Sequence, residues 1–271
     1  MLKTRALVAV VALPILLVMV LIGGWLFAGF VFVALLIGGD EYMRLVRQGN
    51  YHPPEWLIMA LIALPVGATW FEHADWREPG LALLLIVAVA YVIWDMERDK
   101  KEQKRQPVFD AALAVFGGLY IGWLGSYLIA VRMLTEGAYL TIFLYGCVAI
   151  SDSAAYFVGR QWGKHKMSPR VSPKKSWEGY VGSIIGGALF GALAGGLPDS
   201  DILNFGHGAL IGLLIGALGT VGDLAISAVK RQVGAKDSSH LIPGHGGILD
   251  RTDSVFIAAA IGYYYLTWLV M

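Results

Sequence analysis

The 271-residue chain is 57% hydrophobic and only 15% charged, with a mean hydropathy of +0.63, whereas soluble domains carry about 25% charged residues. That balance excludes a soluble globular protein, and 21 basic against 20 acidic residues leave no surplus that would suit a nucleic-acid partner. The single cysteine, Cys147, excludes a disulfide framework and a cysteine metal site.

Uncharged runs follow one another from end to end. Residues 6–39 carry no charge for 34 positions, too many for one membrane helix, and divide naturally at Gly23-Gly24 into two. No A-x-A-like cleavage site follows the first run and apolar sequence resumes at once, so it reads as a retained helix and not as a signal peptide. Trp56–Phe71, Gly80–Trp94, Ala111–Val131, Tyr180–Leu197, Ile202–Gly222 and Ser254–Met271 give six more spans. Gly137–Ser151 would reach only roughly 22 Å at about 1.5 Å per residue, short of the roughly 30 Å hydrocarbon layer. Its continuation to Gly159 corrects the length and places Asp152 inside the span. The fold class expected is therefore all-α, a polytopic bundle of about nine transmembrane helices. About four N-terminal helices occupy residues 1–105, and a catalytic region, 106–271, carries cytoplasmic loops at 159–179 and 227–253.

Nine spans with a cytoplasmic N-terminus put 19 of the 21 basic residues on the inside and leave only Arg77 and Arg132 outside, in keeping with the positive-inside rule. A multi-pass protein of the cell (inner or plasma) membrane, with its chemistry at the cytoplasmic face, is expected. Glycines recur every fourth residue at Gly208, Gly212 and Gly216, at Gly182 and Gly186, and at Gly187, Gly191 and Gly195. Such rows permit close helix packing, within the chain or in a homodimer, and both readings stand at this level.

The inside loops differ in chemistry. Asp95–Pro107 is mixed-charge, without glycine, histidine or aromatic residues, and reads as a solvated connector. Gly159–Gly179 holds six cations against one acid among glycines, prolines and serines, which suits an anionic-lipid patch or a ligand site. Gly222–Asp253 is the richest. Asp223 and Ser227 share a helix face at the cytoplasmic end of a span. A carboxylate inside a membrane, here Asp223 or Asp152, pairs, faces a polar cavity or binds an ion. Pro243-Gly244-His245-Gly246-Gly247 has the composition of a backbone laid against a ligand, and Asp250 to Asp253 start the last helix, where acids also suit the dipole.

Hard oxygen donors without thiols point to Mg²⁺, which takes one or two carboxylates and fills its other positions with water and phosphate. With the surplus of Lys and Arg, the implied ligand is a polyphosphate and the implied chemistry phosphoryl or nucleotidyl transfer. No G-x-x-x-x-G-K-[ST] loop or dinucleotide-binding glycine pattern is present.

Ser227, Lys230, Arg231, Lys236, Asp237, Gly244, His245, Gly246, Gly247, Asp250, Arg251 and Asp253 together resemble the signature of the phosphatidate cytidylyltransferases (CDP-diacylglycerol synthases), and Asp152–Gly179 is also similar to a segment of that family. The resemblance is firm over roughly 152–254. It implies the reaction of CTP with phosphatidate to give CDP-diacylglycerol and pyrophosphate, in phospholipid synthesis within membrane lipid. Under that reading Asp223 and Asp250 would hold Mg²⁺, with Ser227 as a neutral donor and a second ion left open. Lys230, Arg231, Lys236 and Arg251 would clamp phosphates, and Asp237 would belong to the catalytic set. His245 could contact a phosphate, protonate pyrophosphate or shape the loop. Lys174, Lys175 and Ser176, with Gly244, Gly246, Gly247 and Asp253, would bind substrate, and Asp152 would join the metal or orient a clamp. The rival readings are a CTP-dependent polyprenol or phytol kinase and, in a different class, an ion-coupled transporter.

Overall fold

The computed structural model describes residues 2–72, 74–98, 106–197, 202–242, 244 and 246–271. The helices are α1 (Leu2–Ile22), α2 (Gly24–Gln48), α3 (Glu55–Trp70), α4 (Ala74–Arg98), α5 (Pro107–Gly118), α6 (Leu124–Met133), α7 (Gly137–Trp162), α8 (Trp177–Gly195), α9 (Phe205–Gln232) and α10 (Leu249–Leu269). A π-helical turn, Leu119–Trp123, fuses α5 and α6 into one rod, Pro107–Met133. The ten helical segments thus make nine rods among the described residues, and each coincides with one expected span. Five rods are both long and apolar enough to cross a bilayer: α2, α4 from Asp75, the α5–α6 rod, α7 and α9. The molecule is a helical membrane-type bundle.

The apolar runs mark only the part of each helix that suits hydrocarbon. Several helices continue beyond those runs, α9 past Gly222 to Gln232 and α10 back to Leu249, because backbone hydrogen bonding persists where charged side chains reach water. Lys230 and Arg231 consequently stand on α9 and not in a loop, and Ser227 lies on the same helix, as its pairing with Asp223 requires. A two-stranded antiparallel ribbon, β1 (Lys166–Ser168) with β2 (Ser172–Ser176), occupies the segment between α7 and α8, where only a turn-rich path was expected.

Gly23 and Gly24 adopt φ of 67° and 55°, the left-handed region open to glycine, and so break α1 from α2. Arg132, from the end of α6, donates Nε to Val20 O at 2.6 Å and covers carbonyls at the end of α1. The glycine rows are consumed inside the chain. A Cβ on Gly187, Gly191 or Gly216 of α8 and α9 would strike the backbone of the facing helix, while Gly179 and Gly186 lie as closely against Ala155 and Ala154 of α7. Helix α8 is thereby held between α7 and α9 through small residues on two faces.

Polar contacts collect at the two ends of the bundle. At one end Arg132 meets α1, Arg77 donates to Thr69 Oγ1 at 2.6 Å, Tyr139 to Ala194 O at 2.6 Å, and the His207 ring bonds Tyr265 Oη at 3.0 Å. The other end carries Glu41, Asp110, the ribbon, the end of α9 and the start of α10. Arg77 and Arg132, the two basic residues expected outside, therefore share one end, as an alternating nine-span path requires.

Candidate active site

The ribbon is built into the second end by named contacts. Ser176 ends β2 and caps α8, its Oγ accepting from Gly179 N at 3.2 Å. The His165 ring bonds Glu178 at 2.6 Å, and Trp177 N donates to His165 O at 2.9 Å. Gly163 permits the close return of the chain, since a Cβ there would lie 2.6 Å from Ser176 Oγ. Arg231 on α9 donates Nε to Val171 O at 3.1 Å and Nη1 to Ala235 O at 2.9 Å, fastening the ribbon turn to α9. Lys175 completes the attachment with a 2.8 Å ion pair to Asp223.

Between α7, the ribbon, α8 and α9 lies a cavity of about 720 Å³, lined by Asp152, Arg160, Lys166, Lys174, Lys175, Ser176, Thr220 and Asp223 among others. Its volume falls in the range of small-molecule sites, about 300–1,000 Å³. Four cations face two carboxylates in it, which suits an anionic ligand larger than a single phosphate. Asp152, Asp223, Lys174, Lys175 and Ser176, all read from sequence, are brought together here. Arg160, Lys166 and Thr220 were not singled out.

Asp223 accepts from Ser227 Oγ at 3.1 Å, so the pair expected on one helix face is formed. Asp152 and Asp253 both lie within electrostatic range of Asp223, and Arg251 within range of Asp152. Tyr120, in the π-helical turn, places its hydroxyl between Asp253 O at 2.9 Å and Gly222 O at 3.2 Å, with the shorter contact to Asp253, at the crossing of α9 and α10. Among the described residues no three His, Cys, Asp or Glu side chains converge on a metal-sized point. The donors at this edge nevertheless suit a hard divalent cation: carboxylate and hydroxyl oxygens, with no thiol, since Cys147 is buried elsewhere.

Asp250 has other partners. Its side chain is 6% exposed, and Oδ1 accepts the Lys230 ammonium at 2.6 Å. Oδ2 accepts Ser238 N at 2.8 Å, Ser238 Oγ at 2.9 Å and Gly247 N at 3.1 Å. Glu41 of α2 lies beside it, 3% exposed, taking Ser239 Oγ at 2.6 Å, Leu249 N at 2.9 Å, Ile248 N at 3.1 Å and Ser238 Oγ at 3.3 Å. The glycine-rich turn thus closes on two carboxylates of its own chain. A Cβ on Gly246 would stand 2.6 Å from Asp250 Oδ2, and one on Gly247 would collide with Ser238 Oγ and Glu41 Oε2.

Several of the expected site residues have partners within the chain. Asp250 and Lys230, read as metal ligand and phosphate clamp, satisfy each other. The Gly247 amide serves Asp250, Ser176 serves as a helix cap at the cavity wall, and Arg231 holds backbone carbonyls. Lys236 and Asp237 are exposed after α9, Gly244 is exposed with φ of 77°, and His245 lies outside the described residues. Glu41 escaped notice because it follows an apolar run beside Asp40 and Arg44, which form an exposed i,i+4 ion pair. The available signal was register: Glu41 shares its face with Leu45, which is fully buried.

A helical membrane bundle that gathers four cations and two aspartates around a nucleotide-sized cavity defines an enzyme for phosphate-bearing substrates. The chain belongs to the cytidylyltransferase family, whose model matches residues 3–269. It is 30% identical to a phosphatidate cytidylyltransferase of Synechocystis over 98% of this chain and 97% of that one. The phosphatidate cytidylyltransferase of Bacillus subtilis is 31% identical, with 97% of each chain covered, and that of Staphylococcus haemolyticus 31%, over 93% and 94%. The protein is accordingly a nucleotidyltransferase.

Proposed function

We propose that the protein transfers the cytidylyl group of CTP to phosphatidate, releasing pyrophosphate and leaving CDP-diacylglycerol in a cell membrane, with the reaction at the cytoplasmic face. The observation that carries this is the cavity in which Arg160, Lys166, Lys174 and Lys175 surround Asp152 and Asp223 at one end of a membrane bundle. A triphosphate and a lipid phosphate repel each other, and bringing them together is mainly a task of charge neutralisation and alignment.

Arg160, Lys166 and Lys175 hold the triphosphate. Arg251, delivered by α10, and Lys174 face the lipid phosphate. Little proton transfer is needed, because a phosphate monoester is already largely ionised near neutral pH. Its oxygen attacks the α-phosphorus, the bond from that phosphorus to the bridging oxygen breaks, and pyrophosphate takes the electron pair. Asp223, with the Ser227 hydroxyl bonded to it and Asp152 on the same cavity, would hold Mg²⁺, and a bound Mg²⁺ supplies neutralisation of the triphosphate and of the departing pyrophosphate. Asp250, bonded to Lys230, Ser238 and Gly247, anchors the start of α10.

Labelled CTP tests the reading with purified protein, phosphatidate and Mg²⁺ in detergent. Label on the α-phosphorus should enter the lipid and label on the γ-phosphorus should leave as pyrophosphate. Entry of the γ label would make the protein a lipid kinase. Absence of both labels from the lipid, with folded protein, would return the transporter reading.

A further inference from the structure

We propose that Glu41 is a positioning residue for the transfer: from α2, remote in sequence, it sets the first turn of α10, and with it the placement of Arg251 and Asp253 relative to Asp152 and Asp223 of the cavity. This rests on the assignment of that cavity as the nucleotide site. The amides of Ile248 and Leu249 open α10, and the first amides of a helix have no partner within it. Ile248 stands at the cap position without a side-chain cap bond of its own. The Glu41 carboxylate accepts both amides, at 3.1 and 2.9 Å, and its charge suits the positive end of the helix dipole.

The same carboxylate holds Ser239 Oγ at 2.6 Å and shares the Ser238 hydroxyl with Asp250. A hydroxyl has one proton to donate, and the shorter contact gives it to Asp250, at 2.9 Å, with Glu41 at 3.3 Å. Ser238 thus sits between the two carboxylates, while Ser239 Oγ and the α10 amides serve Glu41. Asp250 draws the turn toward Lys230 on α9, and Glu41 draws it toward α2. Gly247 passes between them where no Cβ fits. With two fixed points the rotation of the first turn of α10 is determined, and with it the placement of Arg251 and Asp253, one and three residues beyond Asp250. Glu41 itself is walled off by the loop and touches no substrate.

The decisive variant is Glu41→Gln. Its amide nitrogen faces donors already in place, so half of the fastening is lost while size is kept. Turnover per folded molecule should fall about tenfold or more, with KM for CTP within about twofold of wild type, as expected when alignment and not ground-state binding is lost. Hydrogen exchange should quicken at Ile248 and Leu249 and stay unchanged in α7 and α8. A wild-type kcat for folded Glu41→Gln would overturn the proposal, as would a raised KM with unchanged kcat. If Glu41→Gln does not fold, Glu41→Asp, which keeps charge and loses reach, decides by the same kcat and KM criteria. Failure of the wild-type protein to form any labelled lipid would instead count against the proposed reaction, so the two failures are distinguishable.

Discussion

Lys230 Nζ lies 2.6 Å from Asp250 Oδ1, with the two side chains 10% and 6% exposed. The pair joins the end of α9 to the start of α10 across the segment that carries most of the signature. A buried ion pair is not by itself a source of stability, but removing one partner leaves the other charged in a poorly solvated place, which costs about 3–5 kcal/mol. Asp250→Ala and Lys230→Ala should each lower the melting temperature sharply in detergent. Lys230→Met combined with Asp250→Leu should recover part of that loss while turnover stays absent. A double variant no more stable than the singles would show that the pair is not the main buried-charge problem at this junction.

Two glycines, one in α8 and one in α3, give predictions that differ in sign. On Gly191 a Cβ would be driven into Gly208 O and stand 3.1 Å from Gly212 Cα, both rigid backbone. Gly191→Ala should therefore force α8 from α9, and overpacking of this kind costs about 1–3 kcal/mol. On Gly67 of α3 a Cβ meets nothing within 4 Å, so Gly67→Ala should be neutral or gain up to about 1 kcal/mol from helix propensity. Melting curves of the two variants should shift in different directions, and equal shifts would contradict the close α8–α9 packing.

How far the sequence could be read depended on which interactions are local. Apolar run length located every rod, because a helix in a membrane must satisfy its own backbone and the run has to match the bilayer. The Gly23-Gly24 break and the Asp223–Ser227 pair were equally legible, one from backbone freedom and the other from helical spacing. The partners of Asp250 were not. Whether a glycine-rich turn cradles a bound phosphate or a carboxylate of its own chain depends on a residue of α2, and nothing in the spacing of Gly244 to Asp253 points to Glu41. Tyr120 was hidden for a related reason: its value lies in a π-helical turn and in carbonyls of Gly222 and Asp253 that only the folded chain brings together.

Topology can be checked without a substrate. Reporters fused after Lys104 and Arg170 should read cytoplasmic, and one after Met271 external, if nine rods alternate from a cytoplasmic N-terminus. Arg77 and Arg132, joined to the same end of the bundle through Thr69 and Val20, should be reached by impermeant reagents only from outside when replaced one at a time by cysteine in a background lacking Cys147. A cytoplasmic C-terminus would overturn this path.

The ion pair between Lys175 and Asp223 leads to the last prediction. Lys175 Nζ lies 2.8 Å from Asp223 Oδ2, and both side chains line the cavity. The lysine thus neutralises the carboxylate that the proposed metal would also use, and the two cations compete for it. Asp223→Asn removes the anionic oxygen while keeping shape, and activity should fall by more than about 100-fold, beyond the 10–100-fold cost typical of losing a supporting partner. Lys175→Met should act differently. It takes one cation from the triphosphate site, so KM for CTP should rise about tenfold, equivalent to about 1.4 kcal/mol of binding. It also frees Asp223, so Mn²⁺ used as a probe, followed by electron paramagnetic resonance, should bind more tightly to this variant in the absence of CTP and not at all to Asp223→Asn. Unchanged Mn²⁺ binding in both variants would remove Asp223 from the metal assignment, whatever their turnover.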